Sequence, residues 1–223
     1  MNSRVLKNAL YEQFARIGKG VSSPQRLELL DLLCQGEKSV ETLAKQAGLT
    51  VKNTSAHLRV LRGARLVETR KVAQYVYYRL ADESVCTFFL ALRDLAEKRL
   101  AEVREVSREY FDGGARMTAV DRRHLMERVR IGEVTVLDVR PAEEFRAGHI
   151  PGARSVPLSE LRHTLRSIPK DQEIVAYCRG PYCVLALEAV ELLQAEGYRA
   201  VRLEEGVADW KAAGFPLERE QSA

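Results

Sequence analysis

The fold of the first half of the chain is decided by residues 39–80, SVETLAKQAGLTVKNTSAHLRVLRGARLVETRKVAQYVYYRL. Ser39–Thr42 has the pattern of a helix start with a capping box, and the helix that it opens is predicted to end near Ala47. Residues 48–50, Gly-Leu-Thr, predict a tight turn before a second helix over residues 51–62. This part of the stretch therefore predicts a helix, a tight turn and a helix.

The rest of the stretch predicts a two-stranded hairpin. Residues 65–80 are rich in Val and Tyr on both sides of a short polar turn, and we expect Arg70 and Lys71 at the tip of the hairpin. Two further helices are predicted before the stretch, over about residues 2–19 and 24–34. The first half is thus predicted to be mainly α, with one β hairpin.

A long amphipathic helix is predicted after the hairpin. Its apolar residues are spaced three or four apart, as on one face of a helix. They are Val85, Phe89, Leu92, Ala96, Leu100, Val103, Val106 and Tyr110. This apolar stripe is too long for so small a domain to bury alone, so we expect the protein to form a dimer.

Charge is unevenly distributed along a chain whose composition, 46% hydrophobic and 30% charged, is that of an ordinary globular protein. Residues 1–112 contain 19 basic and 14 acidic side chains, a net charge of +5, whereas residues 113–223 contain 16 basic and 17 acidic side chains, a net charge of −1. Between Lys45 and Arg79 there are eight basic residues and one acid, Glu68. Such a run is often only a solvated surface, but on a helix-turn-helix it indicates a nucleic-acid interface.

The helix-turn-helix stretch resembles a known family. SAHLRVLRGARLVETR, together with the residues around it, is similar to the winged helix-turn-helix of the ArsR/SmtB repressors, and the resemblance covers about residues 5–110. The resemblance implies a homodimer that binds double-stranded DNA at a pseudo-palindromic operator. It also implies that the second helix enters the major groove and that the hairpin of residues 65–80, the wing, contacts phosphates. We expect the DNA contacts to come from short polar and basic side chains: Lys52, Asn53, Thr54, Ser55, His57, Arg59, Arg62, Arg70 and Lys71.

Two alternatives to these DNA contacts stay open. A helix-turn-helix can be used for protein contacts alone, although the basic stripe argues against that use. His57 taken by itself is equally compatible with a core or capping histidine.

The metal site typical of that family is missing from the sequence. A metal-sensing member would carry a Cys-x-Cys pair in the helix before the recognition helix, whereas residues 37–45 read EKSVETLAK, without a thiol. We therefore expect neither a metal nor another cofactor. Cys34 and Cys86 are interpreted either as small buried apolar residues or as a thiol switch, if the two helix ends approach each other.

The second half of the chain alternates strands and helices. Strands are predicted at residues 134–140, 173–178 and 198–206, which indicates an α/β fold with a central parallel sheet. Helices are predicted at about residues 119–130, 141–147, 158–168, 184–197 and 207–213. The Gly-containing residues 113–116 predict a linker between one domain of residues 1–112 and another of residues 117–223.

Two cysteines lie in the short segment AYCRGPYCV, residues 176–184. Cys178 follows a predicted strand and precedes a predicted helix, where backbone N–H groups and the helix N-terminus attract an anion. With Arg179 beside it, we expect Cys178 to be largely a thiolate, which attacks the sulfur of a small anionic donor such as thiosulfate to form a persulfide. The backbone around that sulfur is provided by the rest of the loop: Gly180, Pro181, Tyr182 and Val184.

The second half also resembles a known family. Residues 134–158, VTVLDVRPAEEFRAGHIPGARSVPL, and the segment from the cysteine loop to the closing GFPL are similar to a single rhodanese domain over about residues 117–218. The resemblance implies sulfurtransferase chemistry at Cys178, with Asp138 and Arg140 organising the site from a neighbouring strand. It implies structural roles for Glu144, Phe145, His149 and Trp210.

The sequence around the cysteines argues against phosphatase chemistry and against a zinc site. Related phosphatases carry Cys-x5-Arg, whereas the sixth residue after Cys178 is Val184, so the arginine that would bind a phosphoryl group is absent. A zinc site is not expected, because Cys178 and Cys183 lack the usual Cys-x2-Cys spacing. Cys183 is interpreted either as a residue that fills the first helical turn or as a resolving thiol that relays sulfur from Cys178.

The sequence indicates a cytoplasmic protein without membrane contact. No apolar run is long enough for a membrane span, and residues 1–20 lack the features of a signal peptide. In a reducing compartment we expect the four cysteines to be free, reactive or metal-binding rather than bridged by structural disulfides.

The two predicted domains together suggest a transcriptional repressor that senses reactive sulfur through persulfidation of Cys178. One alternative is a thiosulfate or persulfide sulfurtransferase with an accessory DNA-binding domain. Another is an oxidant-sensing repressor that forms a Cys178–Cys183 disulfide.

Overall fold

A computed structural model describes residues 3–111, 117–118 and 122–220 of the chain. The chain divides into two compact units, Met1–Leu92 and Arg93–Ala223. The predicted linker, residues 113–116, lies outside the described residues. Among the helices of the described residues, none has both the length and the apolar character that crossing a bilayer requires.

The first unit is a helix-turn-helix with a small antiparallel sheet. Its helices are α1 (Ser3–Val21), α2 (Pro24–Cys34), α3 (Val40–Gln46) and α4 (Val51–Gly63). The sheet, in the order β1-β3-β2, consists of β1 (Lys38–Ser39), β2 (Val67–Val72) and β3 (Tyr75–Leu80). The predicted helix-turn-helix and hairpin are therefore confirmed, and β1 is an additional short strand.

Side-chain caps and a leucine core set the positions of α3 and α4. The hydroxyl of Ser39 accepts the N–H of Thr42 at 3.2 Å, and the hydroxyl of Thr50 accepts the N–H of Asn53 at 3.2 Å. Each cap satisfies one backbone donor that the first turn of a helix leaves unpaired. Leucines from all three central helices then meet in one fully buried cluster: Leu29, Leu30, Leu43, Leu58 and Leu61.

The tip of the hairpin differs from the prediction. Val72 pairs with Tyr75, so the turn consists of Ala73 and Gln74, and Arg70 and Lys71 lie within β2 instead. The prediction was wrong because residues 73–74 contain none of the Gly, Asn or Asp residues that usually mark such a turn. Ala73 nevertheless adopts a φ of 51°, in the left-handed region.

The predicted long helix consists of two consecutive helices. These are α5 (Glu83–Arg99) and α6 (Ala101–Phe111), with a break at Leu100. The N–H of Leu100 still donates to the carbonyl of Ala96 at 2.8 Å. The break is therefore a local interruption of the helical path.

The second unit contains a parallel sheet of five described strands in the order β4-β8-β7-β5-β6. They are β4 (Met117–Thr118), β5 (Val134–Asp138), β6 (Arg154–Ser155), β7 (Glu173–Tyr177) and β8 (Ala200–Leu203). The helices around them are α7 (Arg122–Arg130), α8 (Ala142–Ala147), α9 (Leu161–Thr164), α10 (Val184–Ala195) and α11 (Val207–Ala212), with 3₁₀ turns at Leu158–Glu160 and Leu165–Ser167. The predicted α/β class is confirmed, and the two-residue edge strands β4 and β6 are additions to the prediction.

The two faces of this sheet carry separate cores. Along β7, Ile174 and Ala176 belong with Cys178 to the core under α10, whereas Val175 and Tyr177 belong to the opposite core. That second core contains Leu125 of α7 and Trp210 of α11, both fully buried. Helices thus cover both faces, as a parallel sheet requires.

Candidate functional site

Cys178 lies immediately after the last residue of β7, at the carboxyl edge of the parallel sheet. Residues 178–183, which we call the cysteine loop, connect β7 to α10. The side chain of Cys178 is 1% exposed, whereas Cys183 is half-buried at the N-cap position of α10. Tyr182 is 40% exposed and Val184, the first residue of α10, is 50% exposed. The predicted loop residues are thus brought together at a strand-to-helix junction.

The two thiols of the cysteine loop are joined by a disulfide. The Cα atoms of Cys178 and Cys183 are 6.1 Å apart, and the N–H of Cys183 donates to the carbonyl of Gly180 at 3.2 Å. The loop therefore folds back far enough for the second thiol to reach the first. The expectation of free thiols is wrong for this state of the protein.

Arg179 contacts a buried acid that lies 35 residues away in sequence. Its guanidinium donates to the Glu144 carboxylate at 2.8 and 3.0 Å, and that carboxylate is fully buried. Because the Glu144 carboxylate partly cancels its charge, the Arg179 guanidinium attracts an anion less strongly than an unpaired guanidinium would. The attraction of the cysteine loop for an anion therefore rests more on its backbone N–H groups and on the start of α10 than on Arg179.

Asp138 and Arg140 form a fully buried ion pair at the carboxyl end of β5, the strand next to β7. Asp138 is the last residue of β5, and Arg140 lies two residues after it. Arg140 also donates to the carbonyl of Gly148 at 2.8 Å, and the hydroxyl of Tyr177 donates to Asp138 at 2.6 Å. Burial raises the pKa of Tyr177 well above its ordinary value, and the charge of Asp138 acts in the same direction. This network fixes the residue that directly precedes Cys178, which agrees with an organising role for the pair.

The predicted DNA-binding residues of α4 are mostly on its exposed side. Lys52, Asn53, Arg59 and Arg62 are exposed, and Ser55 and His57 are half-buried. Thr54 differs from the prediction, because its side chain is fully buried and its hydroxyl donates to the carbonyl of Thr50 at 3.0 Å. Thr54 therefore belongs to the interior of the domain and is not available to a base edge.

The predicted phosphate contact Arg70 is engaged with an acid. Its guanidinium forms an ion pair with Glu37, which lies just before β1, while Lys71 on the same strand is exposed. The hydrogen bond from Arg70 lowers the pKa of the Glu37 carboxyl below its ordinary value, against a smaller opposing effect of burial. Glu37 thus places a negative charge beside the wing, just outside the basic stretch that begins at Lys45.

The other two cysteines also meet. Cys34 ends α2 and Cys86 lies in the first turn of α5, and their Cα atoms are 5.6 Å apart. Their sulfur atoms form the second disulfide of the chain. The sequence left the distance between these two helix ends open, and in the structure it lies within the range that a disulfide bridges.

Two residues that contact the cysteine loop are not among those predicted from the sequence. Arg202 of β8 is 1% exposed and donates to the carbonyl of Pro181 at 2.8 Å. Gly206, after β8, has its Cα against the peptide that joins Arg179 to Gly180. For Arg202 the available signal was a charged residue between Val201 and Leu203 of a predicted strand. For Gly206 the sequence offered no signal.

Comparison with known proteins matches the two units to two families. The model of the bacterial regulatory protein arsR family matches residues 23–69, and the rhodanese-like domain matches residues 121–213. An HTH-type transcriptional regulator, Rv0324 of Mycobacterium tuberculosis, is 42% identical over 95% of this chain and 93% of its own length. A sulfurtransferase of Allochromatium vinosum is 31% identical over 44% of this chain and 92% of its own length.

Among solved structures, the homodimeric winged helix-turn-helix DNA-binding domain of a possible ArsR-family regulator from Mycobacterium bovis is 38% identical. It covers 46% of this chain and 93% of that domain, with a TM-score of 0.42. The family assignment rests on the relative that matches almost the whole chain. The chain belongs to the ArsR family of DNA-binding transcriptional regulators, in a form that carries a C-terminal rhodanese domain.

Proposed function

We propose that this regulator is a cytoplasmic repressor that senses reactive sulfur. Cys178 accepts sulfane sulfur, and the change at the cysteines alters the affinity of the protein for DNA. The observation that carries the proposal is the position of Cys178 between the end of β7 and the N-terminus of α10, in one chain with a helix-turn-helix. A regulator has no need of a thiol in an anion-attracting loop unless the thiol reacts.

The first step is attack by the reduced Cys178 thiolate on the outer sulfur of thiosulfate. A bond forms between the two sulfur atoms, the S–S bond of thiosulfate breaks, and sulfite leaves with the electron pair. The product is an anionic persulfide on Cys178, and the total charge is unchanged. Backbone N–H groups of the cysteine loop and the N-terminus of α10 are suited to bind both the donor and the persulfide.

Cys183 supplies the second step. The persulfide takes up a proton from water, and the Cys183 thiolate attacks its inner sulfur. The Cys178–Cys183 disulfide forms, the S–S bond of the persulfide breaks, and hydrosulfide, HS⁻, leaves with the electron pair. The Cα distance of 6.1 Å between the two cysteines supports this step. Cys183 therefore acts as the resolving thiol, and sulfur loading is converted into a change of the loop backbone.

The Cys34–Cys86 pair is a second thiol switch, within reach of small persulfides in solution. A persulfide RSSH oxidises the two thiols to the disulfide, and RSH and H₂S are released. Because Cys34 ends α2 and Cys86 lies near the start of α5, the bond links two helices of the DNA-binding unit. Its formation can therefore change the positions from which α4 and the wing meet DNA.

Exposed apolar residues on α1 support a homodimer. Five large apolar side chains of this helix are between 47% and 65% exposed: Val5, Leu6, Leu10, Tyr11 and Phe14. A patch of this kind on one helix is typical of a protein interface. We infer that a second copy covers it, so that two α4 helices read the two halves of a pseudo-palindromic operator.

Two measurements test the proposal: intact-mass spectrometry, and a gel shift on the promoter of the gene that encodes this protein. Both compare the wild type with the variants Cys178→Ser, Cys183→Ser and Cys34→Ser. After reduction and exposure to thiosulfate, we expect the wild type to end in the Cys178–Cys183 disulfide. Cys183→Ser should retain one added sulfur, and Cys178→Ser none. Sulfur treatment should change the DNA affinity of the wild type by at least about fivefold, which corresponds to a coupling free energy of about 1 kcal/mol.

The variants assign the response to one pair of cysteines. If polysulfide changes DNA binding of Cys178→Ser but not of Cys34→Ser, the Cys34–Cys86 pair is the sensor. A third outcome is that Cys178 takes up sulfur but sulfur treatment leaves the DNA affinity of the wild type and of every variant unchanged. The protein is then a sulfurtransferase with an accessory DNA-binding domain. The proposal is overturned if thiosulfate adds no sulfur to Cys183→Ser and forms no Cys178–Cys183 disulfide in the wild type.

The two disulfides favour a second candidate function, an oxidant-sensing repressor. Peroxide can oxidise either pair without sulfur transfer. Gel shifts after peroxide and after thiosulfate distinguish the two functions, because a response to peroxide alone excludes sulfur sensing.

A further inference from the structure

One side of the cysteine loop lies against the segment 202–206, which ends β8 and follows it. Arg202 pairs in register with Ala176, two residues before Cys178. Paired residues of parallel strands point to the same face of the sheet, so Arg202 lies on the face that carries Cys178. Its Nη1 atom donates to the carbonyl of Pro181 at 2.8 Å.

A buried arginine at this position is not explained by packing. Ala200, on the same face of β8, and Ala176, the partner of Arg202 in β7, belong to the apolar core that contains Cys178, and Arg202 itself is 1% exposed. Removing a guanidinium from water has a large free-energy cost, which an apolar side chain would avoid. The hydrogen bond from Arg202 to the carbonyl of Pro181 accounts for the buried charge, because it fixes the second half of the cysteine loop.

The first half of the cysteine loop rests on Gly206. A Cβ atom at this position would lie 1.9 Å from the carbonyl oxygen of Arg179 and 2.6 Å from the N atom of Gly180. The φ of Gly206 is −106°, which other residues adopt freely, so space rather than backbone conformation requires glycine here. The N–H of Gly206 donates to the Asp209 carboxylate at 3.0 Å, which anchors the contact.

We propose that Arg202 and Gly206 are positioning residues of the cysteine loop, which hold its backbone in the arrangement that delivers sulfur to Cys178. This inference rests on the proposed function in one respect, that Cys178 is the sulfur acceptor. Arg202 holds the loop at Pro181, and Gly206 holds it at the peptide between Arg179 and Gly180. Together they set the direction of the N–H groups around the incoming sulfur.

Both contacts matter for reactivity because the site acts through geometry and fixed charge. A displacement of about 1 Å in a reacting group can lower a rate roughly 100-fold. The positive charge of Arg202 also lies one strand away from Cys178 on a buried face, where an anion is weakly screened. Loss of that charge should therefore make the thiolate and the persulfide less favourable.

The test uses the reduced full-length protein with the variants Gly206→Ala, Arg202→Met and Arg202→Lys. Arg128→Met is the control for lost charge, because Arg128 pairs with Glu133 and Glu173 at the opposite edge of the sheet. Gly63→Ala is the control for the added methyl group, because a Cβ there meets nothing within 4 Å. The measurements are the rate of sulfur loading from thiosulfate, the pH profile of iodoacetamide alkylation of Cys178, and thermal stability.

We expect Gly206→Ala and Arg202→Met to slow both reactions of Cys178 by roughly 10- to 100-fold. Arg202→Met should keep or raise thermal stability, since an apolar side chain replaces a buried charge, and should move the alkylation profile to higher pH. Arg202→Lys should restore the pH profile and part of the rate. The inference is overturned if Gly206→Ala and Arg202→Met react like the wild type, or if the controls slow the reactions equally.

Failure of the proposed function gives a different result. In that case thiosulfate leaves Cys178 of the wild type unmodified, with neither an added sulfur nor a disulfide to Cys183. The alkylation rates still show whether Arg202 and Gly206 set the reactivity of Cys178. If Gly206→Ala does not fold, the comparison of Arg202→Met with Arg202→Lys decides the question alone.

Discussion

Two arginine side chains of this protein form ion pairs with acidic residues that are distant in sequence. Arg70 and Arg179 both have the position of a functional cation in the sequence. The structure pairs Arg70 with Glu37, 33 residues earlier, and Arg179 with Glu144, 35 residues earlier. The charge that each arginine offers to DNA or to a sulfur donor therefore depends on its partner.

Glu37 should weaken DNA binding, because it competes with phosphate for Arg70. We expect Glu37→Gln to raise the affinity for DNA severalfold and to steepen the fall of log K with log salt by up to about one unit, the contribution of one additional phosphate contact. Fluorescence anisotropy with labelled DNA at several salt concentrations measures both quantities.

Glu68→Gln is the matched control for this variant. Glu68 pairs with Arg79 on the same hairpin, and Arg79 is not among the predicted DNA contacts. An equal gain for Glu68→Gln would show that only total charge matters. A weaker affinity of Glu37→Gln would show that Glu37 orients Arg70 for its phosphate.

The sequence predicts the place of Cys178 between a strand and a helix, but not the residues that contact the cysteine loop from β8 and the segment after it. Cys178 could be predicted, because a thiol between a strand and a helix is a local pattern. Arg202 and Gly206 could not, because their roles arise from contacts across neighbouring strands. Thr54 was assigned to DNA for a similar reason: its position on α4 is local, but the face that the core covers is set by α2 and α3.

At the level of elements, periodicity predicts the long helices and central strands of both units. It does not predict β4 and β6, because two residues are too few to show an alternating pattern. The caps of α3 and α4 are formed by side chains next to each helix start, so the helix-turn-helix could be placed closely. The tip of the wing could not, since Ala73 is an unusual residue for a positive φ.

Ala73 should be a strained position in the wing. Glycine adopts a φ of 51° without the steric cost that alanine pays, so we expect Ala73→Gly to stabilise the DNA-binding unit by up to about 1 kcal/mol. Thermal unfolding followed by circular dichroism, together with hydrogen exchange of the wing amides, measures the change.

Ala56→Gly provides the opposite case. Ala56 is an exposed residue in the middle of α4, where glycine should destabilise the helix by about 1 kcal/mol. If Ala73→Gly and Ala56→Gly destabilise the protein equally, the φ of Ala73 carries no strain.

At the scale of the whole molecule, the proposed reading of an operator requires two copies of the chain. Phe14 is 63% exposed in the apolar patch on α1. We expect Phe14→Glu to shift the protein from dimer to monomer, because the interface would bury one carboxylate from each copy. Binding to an operator with two half-sites should weaken by at least roughly tenfold. Analytical ultracentrifugation and a gel shift measure the two effects.

Gln13→Glu introduces the same charge on the neighbouring residue of α1, which is polar and exposed. This variant should remain a dimer. A dimeric Phe14→Glu would remove the apolar patch of α1 from the assembly.

Trp210 gives the protein a built-in optical reporter. It is the single tryptophan of the chain, and its side chain is fully buried beside Phe215 in the rhodanese domain. Intrinsic fluorescence excited at the tryptophan band therefore follows that domain alone, whereas far-ultraviolet circular dichroism is weighted towards the helices of both units. A difference between the two signals would show which domain a sulfur donor, an oxidant or a DNA fragment stabilises, without any label attached to the protein.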